Sequence, residues 1–169
     1  MQVTIRKARP DDAEQLLTHV QRLTEEPNID IPLAPGEFDL TVDEERKILE
    51  DYAASDSSVF LVAEANGQII GVLNCKCGKR KATRHAVTLG LSVHKDWRNQ
   101  GIGSALMAQA VAWAKDTGIV TRIELAVYVR NAAAIHLYEK CGFEIEGRRR
   151  RAVYQYGEYL DDLIMALLL

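Results

Sequence analysis

Val93-His-Lys-Asp-Trp-Arg98-Asn-Gln-Gly101-Ile-Gly103-Ser-Ala-Leu106 is the stretch from which the rest of the chain is read. Before it, His85 to Val93 has the apolar run of a mostly buried strand, and after it Ile102, Leu106, Ala110 and Trp113 recur at the spacing of one helix face. The stretch is therefore a strand, a short polar loop and a helix start. Gly101 and Gly103 remove side chains where the first N–H groups of the helix have no partner within it. Backbone donors and the positive end of the helix dipole can meet a polyphosphate there. The plainer alternative is a tight turn with glycines near a helix N-terminus. No Lys-Ser/Thr follows the glycines as in a P-loop, and the three-glycine dinucleotide fingerprint is missing.

Arg98-x-x-Gly101-x-Gly103, placed after a strand and opening a long helix, resembles the acetyl-CoA motif of the GNAT superfamily of N-acetyltransferases. Downstream, Asn131-x-x-Ala134-x-x-x-Tyr138-x-x-x-Gly142-Phe143 is similar to a second segment of that superfamily. The resemblance implies an α/β fold with a mixed, largely antiparallel central sheet of about seven strands and about four helices. By the same resemblance, the strand through Val93 and the strand through Val127 run parallel and then splay. The pantetheine arm of acetyl-CoA would lie like an extra strand against Leu91 and Val93.

The pyrophosphate would fall to the amides of Arg98, Asn99, Gln100, Gly101, Gly103 and Ser104, while the Arg98 side chain braces the loop or reaches a phosphate. Asn131 caps the short helix and, with Ala134, touches the cosubstrate; Tyr138 is the implied general acid for the leaving thiolate. The reaction implied is attack of a neutral amine on the acetyl thioester. The acceptor expected is a small-molecule amine such as an amino acid or polyamine, which Glu144-Ile-Glu-Gly147 and Gly157-Glu-Tyr159 also suggest by resemblance. A protein N-terminal or peptide acetyltransferase and a non-catalytic acyl-CoA-binding regulatory domain remain as alternatives. The general base stays open. Val87-Thr88-Leu89 and Leu125-Ala126-Val127 lack the glutamate that many relatives place there, which leaves His85, Tyr128, Glu124, Tyr154, Glu158 and Asp161 as candidates.

Composition bounds these readings. With 169 residues and 47% hydrophobic content, the chain is expected to form one domain over residues 1–169. A net charge of −3 gives no global attraction to nucleic acid or to an anionic membrane. The four consecutive arginines Arg148 to Arg151, on a predicted strand, point alternately to both faces and read as a solvated edge or a contact for an acidic partner. No apolar run approaches the roughly 18 residues of a membrane span, and the first ten residues are too polar for a signal peptide, so a soluble cytoplasmic protein is expected. The oligomeric state is left open between monomer and homodimer. Cys75, Cys77 and Cys141 read as reduced thiols, and Cys75-x-Cys77 lacks the second ligand pair of a metal site.

The remaining elements follow from pattern. Gln2 to Arg6 alternates as a half-buried strand, and a helix starting near Pro10 buries Ala13, Leu16, Leu17, Val20 and Leu23. Glu25 to Leu40 is an irregular connection, longer than usual and rich in apolar residues, as functional loops often are. Thr41-x-x-Glu44 is a capping box opening a helix with Ile48, Leu49 and Tyr52 inward, and Asn66-Gly67 joins two strands as a hairpin. The long helix ends at Gly118. A strand through Ile123, Leu125 and Val127, a short helix stopped by Gly142, and a final hairpin around Gly157 complete the chain.

Overall fold

The computed structural model describes residues 2–169. Its elements are β1 (Val3–Lys7), α1 (Ala13–Thr24), α2 (Val42–Ala54), β2 (Val59–Ala65), β3 (Gln68–Cys77), β4 (Ala86–Val93), α3 (Ile102–Thr117), β5 (Arg122–Tyr128), α4 (Ala132–Lys140), β6 (Glu144–Gln155) and β7 (Glu158–Leu168). The seven strands form one sheet in the order β1-β2-β3-β4-β5-β7-β6, and β4 beside β5 is its parallel pair. This is the mixed, largely antiparallel α/β architecture that the resemblance implies.

Local chemistry explains the joints. Asn66 and Gly67 both take positive φ, 53° and 75°, the backbone that a tight β2–β3 hairpin requires. Thr41 and Glu44 close the expected capping box, with the Glu44 amide donating to Thr41 Oγ1 at 3.2 Å and the Thr41 amide donating to Glu44 Oε2 at 2.7 Å. Gly118, at φ +63°, ends α3.

α3 lies on one face of the sheet and buries Ile102, Leu106, Met107, Ala110 and Ala114 against Val87, Leu89, Ile123 and Leu125. Trp113, assigned to that stripe from its spacing, is only half-buried; the smaller Ala114 and the pliable Met107 take the deeper positions. On the opposite face Ala13, Leu16 and Leu49 from α1 and α2 pack on Val62, Ile69 and Val72. Pro10–Asp12 forms a separate 3-10 turn, so α1 begins at Ala13 rather than at Pro10. Three polar residues of these helices, His19, Thr24 and Glu45, are buried, at 3%, 6% and 5% exposure, and pattern reading left them out.

The last hairpin corrects the reading of the arginine run. Arg149 pairs with Asp162 and the next paired residue is Val153 with Leu160, so β6 carries two extra residues. Arg151 takes φ +54° within this bulge, and strict alternation through Arg148 to Arg151 is lost. Arg148 and Arg149 instead pair with Asp161 and Asp162.

Between β4 and β5 the ladder is short. Ala86, Val87 and Thr88 pair with Arg122, Ile123 and Glu124, and pairing stops there. β4 continues beside β3 as far as Val93, while β5 continues beside β7 as far as Tyr128. The two strands part beyond Thr88, as the resemblance implies.

Candidate active site

The parting strands open a cleft of about 540 Å³. Leu91, Ser92 and Val93 form one wall; Asn131, Ala134, Leu137 and Tyr138 form the other; Arg98, Asn99, Gly101, Gly103 and Ser104 close the end. The structure thus brings together the residues expected to hold the cosubstrate and Tyr138, except Gln100. That side chain turns away to donate to the Asp96 carbonyl at 3.0 Å, beside a separate depression lined by Val3 and Trp97.

The loop is built to present backbone. Asn99 and Gly101 both take positive φ, 61° and 80°, and backbone curled by such turns forms anion-binding concavities. The first N–H of α3 to find a helical acceptor is that of Ala105, which donates to the Gly101 carbonyl at 3.0 Å. The amides of Ile102, Gly103 and Ser104 therefore remain for an outside acceptor at the positive end of the helix dipole. At Gly103 a Cβ would lie 3.2 Å from Leu137 and 3.8 Å from Leu91, so this glycine keeps open the passage between β4 and α4. The Arg98 side chain braces the loop: it donates to the Val93 carbonyl at 2.9 Å and pairs with Glu26 at 2.8 Å.

Tyr138 is 7% exposed and packs against Phe143 at 5.8 Å between ring centres, the rings tilted by 53°. Burial pushes its hydroxyl up to about 12, so it holds its proton through the neutral range. Among the described residues that hydroxyl has no hydrogen-bond partner. Asn131 Oδ1 accepts from the Ala134 amide at 3.1 Å and so caps α4.

The candidate bases are all engaged or distant. His85 is exposed at the start of β4, outside the cleft lining. Tyr128 donates to Gln155 at 3.0 Å and burial raises it to about 12. Glu124 pairs with Arg122, Glu158 with Arg130, and exposed Tyr154 stacks on Tyr159. The Arg151 amide and the Arg148 side chain hold Asp161 below the usual carboxylate range.

The roof of the cleft was visible in the sequence only as an unusually apolar loop. Residues 26–31 line it, and three distant segments clamp it. Arg98 holds Glu26, Arg130 holds Asp30 at 2.7 Å, and Tyr156 and Gln155 donate to the Ile29 and Ile31 carbonyls at 2.8 and 2.9 Å. Beneath the roof, His19 Nε2 meets Ser92 Oγ at 2.9 Å, and among the described residues His19 Nδ1 has no partner.

Residues 20–143 match the acetyltransferase (GNAT) family. The chain belongs to the GNAT family. Among its GNAT relatives, the L-amino acid N-acetyltransferase AaaT of Escherichia coli K12 is 40% identical over 106 residues, 63% of this chain and 65% of that protein. The chain thus spans just under two thirds of that relative's length. A crystal structure of a GNAT acetyltransferase from Streptococcus pneumoniae superposes with a TM-score of 0.95 at 36% identity, covering 99% of both chains. The ribosomal-protein-alanine N-acetyltransferase of Brucella melitensis gives a TM-score of 0.85 at 27% identity, covering 98% of this chain and 99% of that one.

Proposed function

We propose that this GNAT protein is an acetyl-CoA-dependent N-acetyltransferase whose acceptor is the α-amine of an amino acid. The observation that carries the acyltransferase reading is the parting of β4 and β5 directly above the helix start at Gly101. Acetyl-CoA fits the residues present: Gly101 opens on free space at the helix start, and a side chain at Gly103 would crowd the passage beside Leu137 and Leu91. When bound it supplies an activated thioester carbonyl. Arg98 to Ser104 would hold its pyrophosphate, and the backbone of Leu91 and Val93, free of a strand partner on the β5 side, would hold its amide-bearing arm. Tyr138, protonated and without an acceptor of its own, would donate its proton to the departing thiolate.

The acceptor reading rests on the carboxylates. The acidic residues lining the cleft are Glu26 and Asp30, and each is tied to an arginine. Among the described residues no carboxylate of the cleft lining is free of an arginine, which favours an amine that is already partly neutral. An alkylamine of pKa near 10.4 must spend about 4.6 kcal/mol to be neutral at pH 7 and a peptide α-amine near 7.8 only about 1; a free amino acid, whose own carboxylate raises its α-amine, falls between the two. AaaT is named for L-amino acids and the Brucella protein for a ribosomal-protein alanine. Thiol release measured with amino acids, polyamines and short peptides at several pH values tests the reading. Amino acids should give the highest kcat/KM at pH 7, and a polyamine preferred over every α-amine at that pH would overturn it.

A further inference from the structure

Behind the cleft, on the side of the sheet that carries α1 and α2, lies a polar group that the reading above leaves without a task. Asn74 and Lys76 of β3 share their face with Val72, which packs beneath these helices. Asn74 pairs across with Gly90 and Lys76 with Thr88. Thr88 is the last β4 residue paired to β5, so both lie at the point where the sheet opens.

Gly90 allows Asn74 to lie across the strand, because a Cβ there would stand 2.7 Å from Asn74 Oδ1. Asn74 Nδ2 donates to the Tyr52 hydroxyl at 3.0 Å. With its oxygen accepting that bond, Tyr52 has its O–H left to give, and among the described residues nothing accepts it. Lys76 Nζ stands 5.8 Å from the centre of the Tyr52 ring, its side chain exposed, and among the described residues it pairs with no carboxylate. Thr88 and Ala126, which flank the opening, are small and exposed. Lys76 and the Tyr52 hydroxyl thus lie together on one face of the sheet where β4 and β5 part, the ammonium without a carboxylate and the hydroxyl without an acceptor among the described residues.

We propose that Lys76 and Tyr52 form the subsite that binds the carboxylate of the acceptor amino acid, with Asn74 as the positioning residue that aims the Tyr52 hydroxyl. The assignment rests on the amino-acid reading above and names the groups that would enforce it. An ammonium and a neutral O–H converging on one carboxylate make two charge-assisted hydrogen bonds. Burial pushes the Tyr52 hydroxyl up, which keeps it a donor at the pH of the reaction. An amine without a carboxylate would leave both donors unanswered.

The test compares an L-amino acid with its carboxamide, with kcat/KM expressed per free amine so that their different pKa values drop out. Wild type should prefer the acid by about 10- to 100-fold, mostly through KM, as expected for hydrogen bonds to a charged group. Lys76→Met should collapse that preference toward unity, and Tyr52→Phe, which keeps the ring against Phe60 and Lys76, should reduce it several-fold. Equal losses on acid and carboxamide, or a preference that survives Lys76→Met, would overturn the subsite. If wild type turns over neither compound, the amino-acid reading fails and the subsite with it. That outcome appears in the unmodified protein and is thus distinguishable from failure of the subsite alone.

Discussion

Glu26 and Arg98, 72 residues apart in sequence, meet at 2.8 Å where the roof of the cleft touches the phosphate loop. The pair sets a carboxylate beside the place where a pyrophosphate would bring further negative charge. Glu26→Gln should therefore tighten coenzyme A binding by a few-fold, on the order of 0.5–1 kcal/mol, and Arg98→Ala should weaken it. Calorimetric titration at low and high salt checks both, and the Glu26 effect should shrink as salt rises. Unchanged or weaker binding in the glutamine variant would mean that Glu26 does not face the bound anion.

Tyr138→Phe deletes one hydroxyl and leaves the packing against Phe143 in place. Turnover should fall by about 10²- to 10⁴-fold while coenzyme A affinity holds. Because burial raises Tyr138 to about 12, activity in wild type should show no loss on the basic side up to pH 9. A rise in kcat/KM with pH that levels off near the pKa of the α-amine is the expected profile. Undiminished turnover in the phenylalanine variant, with the chemical step limiting, would reduce Tyr138 to a packing residue.

His19 links stability to pH. Burial, with help from His94, Arg22 and Arg98, lowers its pKa to about 4, against 6.5 for a free ring. Between those values the unfolded chain binds the extra proton, so stability rises with pH across the window. The contribution is complete above about pH 6.5 and is lost as the pH falls toward 4, by about 3 kcal/mol in all. Denaturant midpoints for wild type and His19→Gln should diverge in slope between these limits. Parallel curves would show that the ring takes up its proton in the fold as it does in the unfolded chain.

The three thiols should react in a definite order. Burial pushes Cys77 up, but the hydroxyls of Ser57, Ser58 and Ser55 outweigh it and leave the thiol below its ordinary value. Burial raises Cys141, and it raises fully enclosed Cys75 to about 12. Iodoacetamide at neutral pH should label Cys77 first and Cys75 last in the native protein, as mass spectrometry of peptides would record. Labelling of Cys75 ahead of Cys77 would contradict the arrangement.

The parts legible in the sequence were those fixed by neighbours along the chain. The glycines at 101 and 103, the Asn66-Gly67 turn, the Thr41 cap and the Gly118 stop each act within a few residues, and each stands where the pattern put it. His19 and Glu45 were missed because a polar side chain on an amphipathic helix is read as solvated until its tertiary neighbours are known. The Gln155–Ile31 and Tyr156–Ile29 bonds join residues 124 and 127 positions apart, and no local signal announces them. The Arg151 bulge escaped for another reason: arginine carries no mark of the left-handed backbone it adopts there, as a glycine would. The cleft residues were legible through motif and the clamped roof was not, so the loop's apolar content was seen but its attachments were not.

Three residue pairs, Ala86 to Thr88 against Arg122 to Glu124, are the whole seam between the β1–β4 half of the sheet and the β5–β7–β6 half. Each half is antiparallel with its own longer ladders, so the seam is the shortest stretch of backbone pairing in the sheet. A molecule bonded to both walls of the cleft acts as a brace across that seam. Amide exchange along β4 and β5 would then slow together on binding, and the resting stability of the empty protein would understate how firmly the working one is held.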